Sequence, residues 1–235
     1  MSGEKLSAAL YASPITKKIV IIKSSETRQE SHSEYALDSL KDILQKRVGE
    51  YVKLSIKEYH LAEFLTEIPT PETLNTLSPD LRNVVEDFFD NDLLLIGTPN
   101  KNFVPSILLQ VFFQKMRYEL ISLDGEGKVL SRNFYNHNIG IVITGRSSQW
   151  KWWFLNRFIF FAHFDLLFDF WGKDYNDNIF RLLFKPQNRI RKFFIPDAQK
   201  ATFNQRKGEF LKSMNKFSDE LIPLLLKNGD KEPPD

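Results

Sequence analysis

With 235 residues and 42% hydrophobic content, the chain has enough material for one large domain or two small ones with a proper core. Its 32 basic and 30 acidic residues nearly cancel, to a net +2, so charge implies no nucleic acid or other polyanion as partner. The absence of cysteine excludes disulfides, a thiolate nucleophile and cysteine metal sites, and His32, His60, His137 and His163 show no metal-ligand spacing.

Residues 1–17 are small and polar and read as an extension before the first strand, without the apolar stretch of a signal peptide. A cytoplasmic address is the default. Residues 18–22, KIVII, are apolar and β-branched, as a buried parallel strand should be. Lys23-Ser24-Ser25 and Ser31-His32-Ser33 follow. Then Ala36, Leu37, Leu40, Ile43 and Leu44 recur at helical spacing. A second strand is expected over 51–59, where Val52, Leu54 and Ile56 alternate with Lys53, Ser55 and Lys57.

Pro69, Pro71 and Pro79 punctuate a loop, and Ser78-Pro79 is a helix start, cap and then proline. Leu81, Val84, Val85 and Phe88 form one face of that helix. DLLLIG (92–97) is a buried strand. Pro105 opens the next helix, with Ile107, Leu108, Val111 and Phe112 inward. Asp124-Gly125 suggests a loop or short hairpin. A fourth strand is expected over 139–144 and a fifth over 179–184. Phe210, Met214, Phe217 and Leu221 mark a last helix bent at Pro223. The polar tail 229–235 ends the chain, which leaves 18–228 as the domain.

The stretch 150–171, WKWWFLNRFIFFAHFDLLFDFW, is long enough to raise a membrane helix. Arg157, His163, Asp165 and Asp169 interrupt it, and charges in a bilayer are costly, so no span is expected. A buried helix at a subunit interface accounts better for the aromatics, and the same region is a candidate surface for a protein partner.

Strands alternating with helices imply a parallel sheet covered on both faces, with ligands beyond the C-terminal strand ends. Three loops are therefore candidates: 24–33, 98–105 and 144–149. In the first, backbone N–H groups, the helix dipole and serine hydroxyls can face a phosphate. The same residues also suit a capping box, Ser31 capping the helix and Glu34 reaching back. Glu26, Glu30 and Glu34 would repel a phosphate there, and Arg28 would offset part of that.

These loops resemble those of the flavodoxin-like FMN-dependent NADH:quinone/azo reductase family, formerly called acyl-carrier-protein phosphodiesterases. KIVIIKSSETRQESHSE (18–34) is similar to the family's strand, KSS and SxS. DLLLIGTPNKNFVPSILLQVFF (92–113) is similar to its strand, Asn-Phe and following helix. IGIVITGRSSQW (139–150) and FDFWGKD (168–174) are similar to its fourth strand, glycine-rich loop and closing turn. The resemblance implies a doubly wound, five-stranded parallel sheet with helices on both faces.

It further implies FMN as cofactor, NADH or NADPH as co-substrate, a quinone or azo acceptor, and a homodimer. Ser25, Ser31 and Ser33 fall on the FMN phosphate positions, and Asn102 and Phe103 on those that wall the flavin ring. Asn100 and Lys101 stand where the family has Met and Tyr/Thr. Gly145, Arg146, Ser147 and Ser148 form the loop approaching the flavin, with serines replacing glycine-type residues. A Cβ there can block close backbone approach. Lys101 or Arg146 would favour a reduced, anionic flavin if turned inward, and would otherwise be solvated. No catalytic side chain of the protein is required, since the flavin carries the chemistry. The departures also leave a second function open: a flavin-free descendant serving as a structural or binding subunit of an assembly.

Overall fold

A computed structural model describes residues 15–27, 31–65, 70, 77–101, 104–120, 122–123, 129–130, 138–145, 190–196 and 203–226. The expectations for 1–14, 150–171, 179–184 and 229–235 lie outside these residues. The strands are β1 (Thr16–Lys23), β2 (Lys53–His60), β3 (Leu93–Lys101), β4 (Val104–Pro105), β5 (Ser122–Leu123), β6 (Val129–Leu130), β7 (Ile139–Gly145) and β8 (Ile190–Pro196). The helices are α1 (His32–Val48), α2 (Leu61–Phe64), α3 (Pro79–Phe89), α4 (Ile107–Leu120) and α5 (Phe203–Leu226).

The main sheet runs β2-β1-β3-β7-β8, every neighbouring pair parallel, and β4 pairs antiparallel with the end of β3. Counting parallel strands alone, this is the 2-1-3-4-5 order of flavodoxin-like doubly wound sheets. The strand beside β7 is Ile190–Pro196 and not the expected 179–184. β5 and β6 form a separate antiparallel pair flanking the segment with Asp124-Gly125.

The period of two along each strand divides the apolar residues between two cores. Val20, Ile22, Leu94, Ile96, Ile139, Ile141 and Ile143 face α3 and α4, meeting Leu81, Val84, Phe88, Leu109, Phe112 and Met116. Ile19, Ile21, Leu93, Leu95 and Val142 face α1 and α5, meeting Leu37, Leu40, Leu44, Phe210, Met214, Phe217 and Leu221. Each such side chain contributes about 1.5–3 kcal/mol when fully buried. β1 and β3 are covered on both faces, so their sequences read as continuous apolar runs; β2, at the sheet's edge, keeps its alternation.

Details differ from the sequence expectations at two places. Ile107 is 56% exposed and not inward. Pro105 ends β4, and Ser106 caps α4 by accepting from the Leu109 N–H at 3.2 Å. The last helix holds the expected Pro223 in its final turn and runs to Leu226; a proline there forfeits one helical bond without ending the element.

Polar contacts tie down the N-terminal edge of the sheet. The Asp92 carboxylate accepts from the Lys18 N–H at 2.8 Å, and the Asn138 amide donates to the carbonyls of Asp92 and Leu224 at 3.0 and 3.1 Å. Arg47 joins the end of α1 to Asp219 on α5 at 2.7 Å. The opposite, C-terminal edge is where the serine-rich segments gather.

Candidate functional site

After β1 the chain runs outward to β2, then returns past β1 to β3. This reversal leaves a crevice beyond the C-terminal ends of β1 and β3, the place where open α/β sheets bind ligands. Three hydroxyls stitch its floor. Ser24 donates to the Gly97 carbonyl at 2.9 Å, and its N–H donates to the same oxygen at 3.0 Å. Ser106 donates to the Ser24 hydroxyl at 2.9 Å, and the Ser106 N–H donates to Thr98 Oγ1 at 3.0 Å. All three hydroxyl residues are buried. They hold the segment after β1 against the segment leading into α4.

Above this floor the sequence-expected serines converge at the start of α1. Ser31 is the N-cap, its Oγ accepting from the Glu34 N–H at 3.4 Å. Ser31 Oγ and Ser33 Oγ lie 3.3 Å apart. One hydroxyl hydrogen serves that contact, and the other has no acceptor among the described residues. The N–H groups of Ser31 and Ser33 likewise donate to nothing among the described residues, as first-turn N–H groups do unless a cap or ligand intervenes. Ser25 is committed differently: its hydroxyl donates to the Thr27 carbonyl at 2.8 Å.

The expected return of Glu34 to the Ser31 N–H does not occur. The Glu34 carboxylate meets His60 Nε2 at 2.6 Å, at the end of β2, so the cap is one-sided. Lys23, which precedes the serines, is also turned away, to Asp38 at 2.7 Å and Glu58 at 2.9 Å. Burial opposes the Lys23 charge, but hydrogen bonds to Asp38 and Glu58 outweigh it and hold the ammonium above its ordinary pKa. Burial likewise opposes the Glu58 charge, while Lys23 and Lys41 together hold its carboxyl below the usual range.

On the other side of the crevice, Asn100 of β3 is in register with Gly145 of β7. A Cβ on Gly145 would stand 3.0 Å from the Asn100 Cβ, so glycine permits this close pairing. Asn100 Oδ1 is buried and has no hydrogen-bond partner among the described residues. The backbone of Lys101 continues β3. Asn102, Phe103, Arg146, Ser147 and Ser148 lie outside the described residues.

The structure thus brings Ser25, Ser31 and Ser33 to one end of the crevice, and Asn100, Lys101 and Gly145 to strand ends further along it. Sequence reasoning included Ser24 and Thr98 in its candidate loops without giving either a role, and missed Ser106 and His60. Only their positions just after or at the end of a strand marked them, since their partners are distant in the chain.

No family model matches the sequence, and no curated protein matches it. Solved structures do. A Bacillus anthracis FMN-dependent NADH-azoreductase in complex with FMN superposes with a TM-score of 0.54 at 11% identity, covering 88% of this chain and 99% of that one. The chain has the fold of that reductase. NAD(P)H:quinone oxidoreductase from Methanothermobacter marburgensis gives 0.56 at 11% identity, covering 88% and 96%. RosB with bound 8-demethyl-8-formylriboflavin-5'-phosphate gives 0.58 at 15% identity, covering 89% and 79%. At such identities the likeness establishes a common fold: an α/β domain with a parallel sheet flanked by helices. No helix among the described residues is long and apolar enough to cross a membrane.

Proposed function

We propose that this chain is an FMN-dependent oxidoreductase that transfers electrons from NADH or NADPH to a quinone or azo compound. The observation that carries this reading is the meeting of N–H donors at Ser31 and Ser33, without acceptors among the described residues, with the crevice of a 2-1-3-4-5 sheet. The named substrates of structurally similar reductases support the same choice.

In this reading Ser31 and Ser33 hold the FMN phosphate through N–H groups and a hydroxyl. Ser25 joins them by turning its hydroxyl from Thr27. Asn100 offers its buried Oδ1 to a ligand N–H. Lys101, Asn102 and Phe103 wall the ring, and Gly145, Arg146, Ser147 and Ser148 approach its pyrimidine edge. The flavin supplies the hydride and electron chemistry, while the chain binds, orients and shields it from water. The protein works in the cytoplasm as a homodimer, with residues 150–171 at its interface.

One observation favours a flavin-free binding subunit instead: the Ser25 hydroxyl already has its acceptor. Absorbance of the purified full chain separates the two. Flavin bands, together with NADH oxidation in the presence of a quinone, support the reductase. A folded, colourless protein that takes up no added FMN supports the subunit.

A further inference from the structure

A carboxylate at the third position of a helix ordinarily turns back to the N-cap N–H, completing a capping box. Glu34 holds that position on α1, three residues after the Ser31 cap. Had it turned back, its negative charge would occupy the donors that an anionic ligand needs. It is drawn sideways instead, to the His60 ring at 2.6 Å. Both side chains are largely buried, at 8% exposure for His60 and 13% for Glu34. The placement of His60 follows from the sheet: it ends β2 in register with Lys23, the residue before the serine pair.

We infer that His60 is a positioning residue for anion binding: by holding the Glu34 carboxylate, it keeps the first-turn N–H groups of α1 open. The inference rests on the proposed FMN reading and names what admits the phosphate. The pairing serves both partners. Glu34 gains a hydrogen bond out of water, and His60, whose buried Nδ1 has no partner among the described residues, keeps its other nitrogen satisfied. Lys23 does not compete for Glu34, because Asp38 and Glu58 hold it.

The test compares FMN with riboflavin, which lacks the phosphate, in fluorescence titrations of the full chain. His60→Leu frees Glu34 to turn back. It should weaken FMN about tenfold and leave riboflavin within about twofold, as a charge moved to a helix terminus would. His60→Gln can still donate to Glu34 and should retain FMN affinity. Adding Glu34→Ala to His60→Leu, which leaves nothing to turn back, should restore it. Glu34→Asp keeps the charge on a stem too short to reach His60 and should also lose FMN selectively. That variant leaves the buried ring in place, so it carries the test if His60→Leu does not fold.

Equal losses of FMN and riboflavin, no restoration by Glu34→Ala, or unchanged FMN binding by Glu34→Asp would each overturn the inference while leaving the FMN reading intact. A wild-type chain that binds neither flavin ends both.

Discussion

The Ser106 hydroxyl donates to the Ser24 hydroxyl at 2.9 Å across 82 positions of sequence. This contact joins the segment that follows β1 to the cap of α4, and so couples the two sides of the crevice. Ser106→Ala removes that donor and the α4 cap together. The expected cost is about 1–2 kcal/mol, measured as a lower urea midpoint with unchanged slope. A midpoint equal to that of the wild type would show that the contact contributes nothing.

Gly97 of β3 lies directly against α1. A Cβ there would meet Leu37 Cδ1 at 2.4 Å and the Ser33 carbonyl at 3.3 Å, and Leu37 is fully buried. Gly97→Ala should destabilise by about 1–3 kcal/mol through overpacking, seen as a lower melting temperature. Trimming Leu37 to Val in the same chain should recover part of the loss.

Much of the architecture was legible because its causes are local. Ser78-Pro79 announces α3, and the Ser78 hydroxyl does accept from the Leu81 N–H at 3.2 Å. The apolar runs of β1, β3 and β7 announce strands buried on both faces. β8 was missed because its sequence, IRKFFIP, lacks the unbroken apolar run that marks β1, β3 and β7. The serines of the site were legible as residue types at a strand end. The Ser24–Ser106 and Glu34–His60 contacts were not, because tertiary folding alone brings those residues together.

Ionisation of Glu58 makes stability depend on pH. Burial, the largest single influence, pushes its carboxyl up, but the hydrogen bonds and charges of Lys23 and Lys41 together hold it below the ordinary 4.5. A depressed native pKa contributes stability above the unfolded value, and that stability is lost as pH falls through the native value. The wild type should therefore weaken as pH drops below about 4.5. Glu58→Gln should flatten that limb. An unchanged acid limb would place the dependence elsewhere.

At the alkaline end, burial and the hydrogen bond to Asp87 push the Tyr59 hydroxyl up to about 12. A raised native pKa contributes stability below the unfolded value, near 10, and loses it as pH rises towards 12. Tyr59→Phe should reduce the fall in stability over that window, read by chemical denaturation at stepped pH.

Ser31→Ala removes a hydroxyl from the proposed phosphate site and the cap from α1. FMN should bind more weakly by about 1–3 kcal/mol, while the cap costs about 1 kcal/mol of stability. Riboflavin affinity separates the two effects: it should not change if Ser31 contacts phosphate.

The central claim is that this crevice holds FMN by its phosphate. The most direct measurement is titration of the flavin-free full chain with FMN and, in parallel, riboflavin, following flavin fluorescence. Saturable quenching by a folded chain, with FMN binding more tightly than riboflavin, is the predicted result. No binding at high micromolar FMN by a folded chain, or equal affinity for the two flavins, would contradict it.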